Sequence, residues 1–482
     1  MIILPANTLS GGYDVDNSCR FDGSNDYLTK TFGSSPTSNK IGTVSYWTKR
    51  SGLGASMFSG LVAVDTGVSS YGTNFTSGDN MDFWFYYDNS ASAYDGRFTT
   101  NAKFRDVSAW FHVVFAWDTT QATNTNRLKL YINGRNQKDV SGYSAETYPD
   151  QDQTVTWGGT SAAHRIGANP ENGNNKWNGY MAEVVYCDGT QYAASDFGEF
   201  DSDSPTIWKP KDVSGLTFGG NGFYLDFKDS SALGNDVSGN NNDFTATGIA
   251  AIDQCVDTPT NNFPTMNPLN VNVSNPPTFS EGNLEVESAT NTGQRTMGSS
   301  TIGLTSGRWY VEAKIKVIDS CTAGVSPDVQ VHAKDSTYAG SHAHDWVILF
   351  ETGNKYNNDS GSTHGDGIGV DEILMIALDL DNNNIYFGHD GNWFDGSGNA
   401  DEAAPNSALS LTAPASTPEG AYFFTASDGG GSAKAKLQWN FGSPPYANSS
   451  SVADANGYGD FEFTPPSGYL AVCTKNLGSD GG

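Results

Sequence analysis

The chain has 482 residues, 37% of them apolar and 12% aromatic, with 55 glycines; that length exceeds one ordinary core and predicts two or three domains. Acidic residues outnumber basic ones 54 to 26, a formal net charge of −28, which is read as a solvated acidic surface and repels both nucleic-acid phosphates and anionic lipid. No run is long enough to cross a membrane and no window holds helical apolar spacing for three turns, so the expected class is all-β, with no nucleic-acid partner and no membrane insertion.

Residues 1–12 read as an arm. From 13 to 214 strand signals are dense: Ser18–Phe21, Gly42–Lys49, Met81–Tyr87, Trp110–Trp117, Arg127–Asn133 and Tyr180–Tyr186. Within Gly42–Lys49 the alternation places Val44 and Tyr46 on one face and Ser45 and Trp47 on the other. The apolar run from Trp110 ends on Asp118, crosses a polar turn and returns as Leu128–Ile132. It closes on Asn133-Gly134, a dipeptide that accepts the positive φ of a tight turn. A helical turn is predicted around Tyr192–Phe200.

Between 215 and 281 the character changes. One strand, Phe223–Phe227, precedes Ser238-Gly239-Asn240-Asn241-Asn242-Asp243 and prolines at 259, 264, 268, 276 and 277. That density of Pro and Asn predicts an irregular connector. From 282 to 475 the same hairpin grammar returns. Ile373–Asp381 crosses three asparagines into Ile385–His389 and closes on Asp390-Gly391, with further strands at Arg308–Val317, Asp345–Phe350, Ala421–Thr425 and Ala435–Asn440. Residues 476–482 read as a flexible tail. The predicted architecture is two antiparallel β-sandwiches of jelly-roll type joined by a Pro/Asn-rich connector, without heptads or collagen triplets.

Cys19, Cys187, Cys255, Cys321 and Cys473 form neither a disulfide ladder nor a C-x-x-C pair, and most of them are expected as buried thiols. A sandwich glucanase needs an E-x-D-x-x-E strand so that its carboxylates share one face. The nearest string, Glu199-Phe200-Asp201-Ser202-Asp203-Ser204, has Ser204 at the last position and abuts Pro205. Catalysis is therefore not expected.

Among His332, His342, His344, His364 and His389, the His342-Ala343-His344-Asp345 string could place two imidazoles on one face for a transition metal. It lacks a third ligand at a recognisable spacing, so no metal is assigned. Asp379 and Asp381 offer hard oxygens that leave calcium open; without the rest of a wrapping loop they read as a β-turn. No other cofactor is expected. His112 is read as a histidine packed within the sheet. Loop aromatics that could stack on sugar rings are Tyr94, Trp177 and Trp393.

The Trp110–His112 strand with Leu128–Gly134, and Asn178–Val184, resemble the concanavalin-A/laminin-G type of sandwich. Gly307-Arg308-Trp309-Tyr310-Val311-Glu312-Ala313 and the Asp379–Trp393 hairpin resemble the SPRY sandwich, and Leu437–Gly442 is similar to the ending of phage SPRY-like modules. The pairing, joined through Gly222–Asp229, resembles virion-surface proteins of tailed bacteriophages. That resemblance implies a non-enzymatic structural protein made in the host cytoplasm and carried on the virion surface. It would serve as a tail fibre or tail-associated adhesin binding host glycan or protein, with avidity from many copies. Implied partners are other virion proteins, the 1–12 arm contacting one of them, and the chain's own copies, a trimer among the options. A head decoration or capsid fibre is the alternative, and a glycan-degrading enzyme a more distant one.

Overall fold

The computed structural model describes residues 12–480 except 59–60, 66–67, 89–92, 156, 161–162, 170–172, 273, 290–294, 336 and 431–433. The side chains of 58–71, 86–94, 295, 335 and 479–480 also lie outside the described set, as does all of the predicted arm except Gly12. The protein is all-β and divides into two compact units between Asn261 and Asn262. No helix among the described residues is long and apolar enough to cross a membrane.

In the first unit the expected strands form two antiparallel sheets. One runs in the order Arg135–Asn136, Leu128–Ile132, Phe111–Asp118, Ile41–Arg50, Asn178–Asp188, Ser18–Asp22, Gln254–Cys255. The facing sheet is built around Ala93–Lys103, Asn80–Asp88, Val68–Phe75, Leu61–Asp65 and Ala163–Ile166. Alternation decides which side chains go where. Val44, Tyr46, Val113, Phe115 and Trp117 enter the core between the sheets, together with Phe83, Phe98 and Tyr186. Trp47, Val114, Tyr180 and Ala182 point the other way, into a second cluster with Phe197, Trp208 and Tyr224. The first sheet is thus covered on both faces, which is why Phe111–Asp118 is buried along its whole length.

The second unit repeats this arrangement. Its larger sheet carries Lys436–Asn440, Arg308–Val317, Ile373–Asp379 and Asn384–His389 at its centre, and the smaller one Phe423–Asp428, Cys321–Ser326 and Trp346–Leu349. Trp309, Val311 and Ala313 face the inner core, while Tyr310 lies under an outer cover that includes Phe461 and Tyr469. Leu470–Ala471 pairs in parallel with Arg308–Val317, a departure from the antiparallel rule.

The 215–281 stretch carries more strand than its composition predicts, and it splits between the units. Phe223–Leu225 pairs with Asn178–Asp188, Thr245–Thr247 with Tyr27–Lys30, and Gln254–Cys255 with Ser18–Asp22. Thr278–Ser280 pairs with Glu285–Glu287 in the second unit. Polar side chains satisfy the irregular backbone in between. Asp236 Oδ1 accepts from the N–H groups of Tyr224 and Ser238, and Asn240 Nδ2 donates to the carbonyls of Gly219 and Gly222. The predicted tail is ordered as well. Thr474–Asp480 is helical, Leu477 packs into the inner core, and Asn476 Nδ2 donates to Asp454 and to the Ala471 carbonyl. All five cysteines are buried and none is in a disulfide.

Candidate ligand-binding cleft

On the outer face of the first sheet, Gly198–Phe200 pairs with Trp208–Pro210 as a short hairpin, in the register Phe200↔Trp208. The Trp208 indole lies against two glycines. A Cβ on Gly134, whose φ is +72°, would come within 2.2 Å of the ring, and one on Gly198 within 2.6 Å. Its Nε1 donates to His112 Nδ1 at 3.1 Å. Burial pushes the His112 pKa down to about 3, so the ring stays neutral. With Nδ1 accepting, Nε2 carries the proton and donates to Ser45 Oγ at 2.8 Å. Trp47 stacks on the other side of the imidazole at 4.7 Å. His112 is thus a structural residue that fixes the floor of the cleft.

Above this column is a hollow of about 350 Å³ bordered by Tyr131, Glu199, Phe200, Trp208, Lys211 and the 193–195 turn. Phe200 is 36% exposed; the Arg135 guanidinium lies 5.3 Å from its ring centre and Trp208 meets its ring edge-on at 4.9 Å. Glu199 is exposed, with Lys209 Nζ at 3.6 Å. The cleft therefore offers an accessible ring beside one carboxylate and several cations, which suits a ligand with an apolar face and hydroxyl groups. Asp201, by contrast, is buried and committed to its own turn. Its Oδ1 accepts from the N–H groups of Asp203 and Ser204, and Lys209 Nζ is 3.4 Å from Oδ2. The Glu199–Asp201 string thus builds a turn and a rim. A second hollow of about 310 Å³ is lined chiefly by Ser230, Ser231 and alanines, and the ring that reaches it, Phe244, is buried.

The aromatics singled out in the sequence are placed differently. Trp177 is fully buried in the inter-sheet core, tilted against Phe75 at 5.6 Å, and Trp393 is 5% exposed, edge-on to Tyr310. Both are core residues, not stacking platforms, because the sheets close over the faces a sugar would need. The backbone of Tyr94 lies in the Ala93–Lys103 strand, and its side chain is outside the described residues. Phe200 sits inside the string tested for catalysis; the only signal in the sequence is an apolar ring within a polar run, and its nearness to Arg135 comes from the fold. Asp379 accepts from both the backbone and the side chain of Asn382, and Asp381 from the Gly307 N–H. The calcium candidates are thereby occupied as turn and strand fasteners.

The histidines sort into separate environments. His344 does not join His342: its Nδ1 is 3.1 Å from Thr412 Oγ1. Instead His332, His342 and Asp345 come together, with ligand atoms within 4.8 Å of one another, and Asp328 lies beside them, its Oδ2 3.9 Å from His342 Nδ1. Burial, and then the Asp345 charge, push the Asp328 carboxyl up. Burial also pushes Asp345 up, but hydrogen bonding and charge from His332 outweigh it and hold that carboxyl below its usual range. Spacing around His342–His344 missed this set because Asp328 and His332 arrive from another element. A looser group of Glu372, His389 and Asp390 lies nearer the surface. His364 is buried, which pushes its pKa down to about 4, and neither ring nitrogen has a hydrogen-bond partner.

The first unit is a jelly roll of the concanavalin A-like class. Residues 22–193 match the family model of the concanavalin A-like lectin/glucanases superfamily. The chain is also similar to the SPRY domain of human HERC1, at 16% identity and a TM-score of 0.24, over 32% of this chain and 87% of that domain. It is similar to stonustoxin at 16% identity and a TM-score of 0.25, over 37% of this chain and 27% of that one. No curated protein matches the sequence significantly.

Proposed function

We propose that the chain is a non-catalytic binding protein whose lectin-like unit takes a sugar ring in the cleft at Phe200. The observation that carries this reading is a partly exposed ring, Phe200, flanked by Arg135, Glu199 and Lys211 on the outer face of a sandwich whose residues 22–193 match a lectin-like family. A pyranose would lay its C–H face on the ring, while the charged groups take its hydroxyls. The proposed setting is the surface of a tailed-phage particle, as a tail fibre or tail-associated adhesin. There several copies, docked on other virion proteins, would engage host glycan or protein by avidity. Support for the setting comes from the pairing of lectin-like and SPRY-like motifs in one chain.

Binding of the full chain to a panel of bacterial surface polysaccharides, compared with Phe200→Ala, tests the cleft. Loss of one stacked ring, about 0.5–1.5 kcal/mol, weakens binding by up to about tenfold. Unchanged binding in the variant removes the cleft from the reading, and release of reducing sugar replaces adhesion with glycan degradation. Mass spectrometry of purified phage particles tests the setting separately.

A further inference from the structure

We propose that Asp328, His332, His342 and Asp345 form a binding site for a borderline divalent transition ion of the zinc type. Asp328 and His332 are held at the start of the Val329–Asp335 helix and within it; His342 and Asp345 lie in the loop that leads into Trp346–Leu349. His332 Nε2 is 3.0 Å from Asp345 Oδ2, and its Nδ1 is engaged by Thr337 Oγ1 at 2.7 Å. That second bond fixes the ring orientation and leaves Nε2 as the ligand atom, the arrangement usual for metal-binding imidazoles.

A hydrogen-bonded His332–Asp345 pair would explain those two residues alone. It leaves two observations over. Asp328 is 5% exposed, yet its Oδ2 is buried without a hydrogen-bond partner. His342, with 30% of its side chain exposed, lies parallel to His332 at 4.6 Å and aims Nδ1 at that same oxygen, 3.9 Å away. An uncompensated buried carboxylate oxygen is costly. An ion would satisfy it.

Bonds of about 2.0–2.2 Å to nitrogen and oxygen put tetrahedral ligand atoms roughly 3.4 Å apart. The ligand atoms of His332, His342 and Asp345 lie within 4.8 Å of one another, 3.0 Å between His332 and Asp345, and Asp328 Oδ2 is 3.9 Å from His342 Nδ1, so closure calls for side-chain adjustment, most easily of the partly exposed His342. Two carboxylates balance a dication, and two imidazoles with two carboxylates suit zinc better than calcium, which takes oxygen ligands. The ion would clip the N-terminal end of the helix, at Asp328, to the loop that enters the Trp346–Leu349 strand at Asp345.

The test is calorimetric titration of zinc into chelator-stripped full-length protein, with Co²⁺ absorption as a geometric probe. The wild-type chain is expected to bind zinc and to rise in Tm with it. His342→Ala and the isosteric Asp328→Asn should each weaken binding by at least about 100-fold, since even outer-shell changes cost ten- to a hundredfold. His344→Ala should leave binding unchanged. Because His342 is partly exposed, its variant keeps the test valid if Asp328→Asn does not fold. No zinc uptake, uptake untouched by His342→Ala, or uptake abolished by His389→Ala instead would each overturn the proposal.

Discussion

Glu183 gives a pH dependence that can be worked out from its surroundings. The pairing of Asn178–Asp188 with Ile41–Arg50 slips between Ala182 and Val185, and Glu183 sits in that bulge at φ +51°. Its carboxyl turns under the outer cover, where Tyr224 Oη donates to Oε2 at 2.7 Å and Tyr13 Oη is at 3.4 Å. The residue is 5% exposed. Burial pushes its pKa from 4.5 up to about 8, against the lowering effect of the Tyr224 hydrogen bond.

Between those two values the folded chain holds a proton that the unfolded chain has released. The stabilisation is therefore complete below pH 4.5 and is lost as pH rises through 8. At about 1.4 kcal/mol per tenfold, the loss between pH 5 and pH 9 comes to about 4 kcal/mol. Glu183→Gln keeps an acceptor for Tyr224 and cannot ionise. Urea unfolding of both proteins across that range should show stabilities that nearly coincide at pH 5, with the Gln variant more stable at pH 9 by about this amount. All other titrating groups are common to both, so the difference isolates Glu183. Parallel pH curves would refute the argument.

Trp177→Ala should lower unfolding free energy by about 3–5 kcal/mol, as expected for a large aromatic removed from a core, with glycan affinity changing only as the folded fraction does; a loss of affinity at unchanged stability would return Trp177 to the site. Gly134→Ala forces a methyl group within 2.2 Å of the Trp208 ring at a φ of +72°. We expect a loss of about 1–3 kcal/mol in stability, a shift in tryptophan fluorescence and weaker glycan binding, and a variant with native fluorescence and affinity would contradict the packing described for the cleft.

What could be read from the sequence was what repeats locally. Val44 and Tyr46 part from Ser45 and Trp47 because a strand alternates every two residues, and Asn133-Gly134 marks its turn by backbone tolerance alone. Trp177 could not be placed this way. Its neighbours Asn174, Asn175, Lys176 and Asn178 look like a loop, and its burial depends on Gly167, whose carbonyl accepts the Trp177 N–H at 2.7 Å, and on the distant Phe75 ring. The order of residues 228–261, after the predicted strand at Phe223, was hidden for a related reason: side chains such as Asp236 stand in for sheet partners, and such bonds leave no periodicity.

The same physics changes the meaning of the acidic composition. A charge of −28 reads as a solvated face, yet several of these carboxylates lie inside, each fastening a covering segment to a sheet. Asp257 is 1% exposed and takes Lys49 Nζ at 2.8 Å and Trp110 Nε1 at 2.9 Å. Asp188 accepts from the N–H groups of Thr37, Ser38 and Asn221. Glu312, fully buried and pushed up to about 7 by that burial, accepts from Tyr310, Asn440 and the N–H groups of Glu462 and Phe463. An apolar sheet face can be covered by irregular chain only if the chain's own N–H groups find acceptors, and buried carboxylates supply two oxygens each. Part of the acid count is therefore structural, and even at the Phe200 cleft the acids are paired, Glu199 and Asp201 both lying within salt-bridge reach of Lys209.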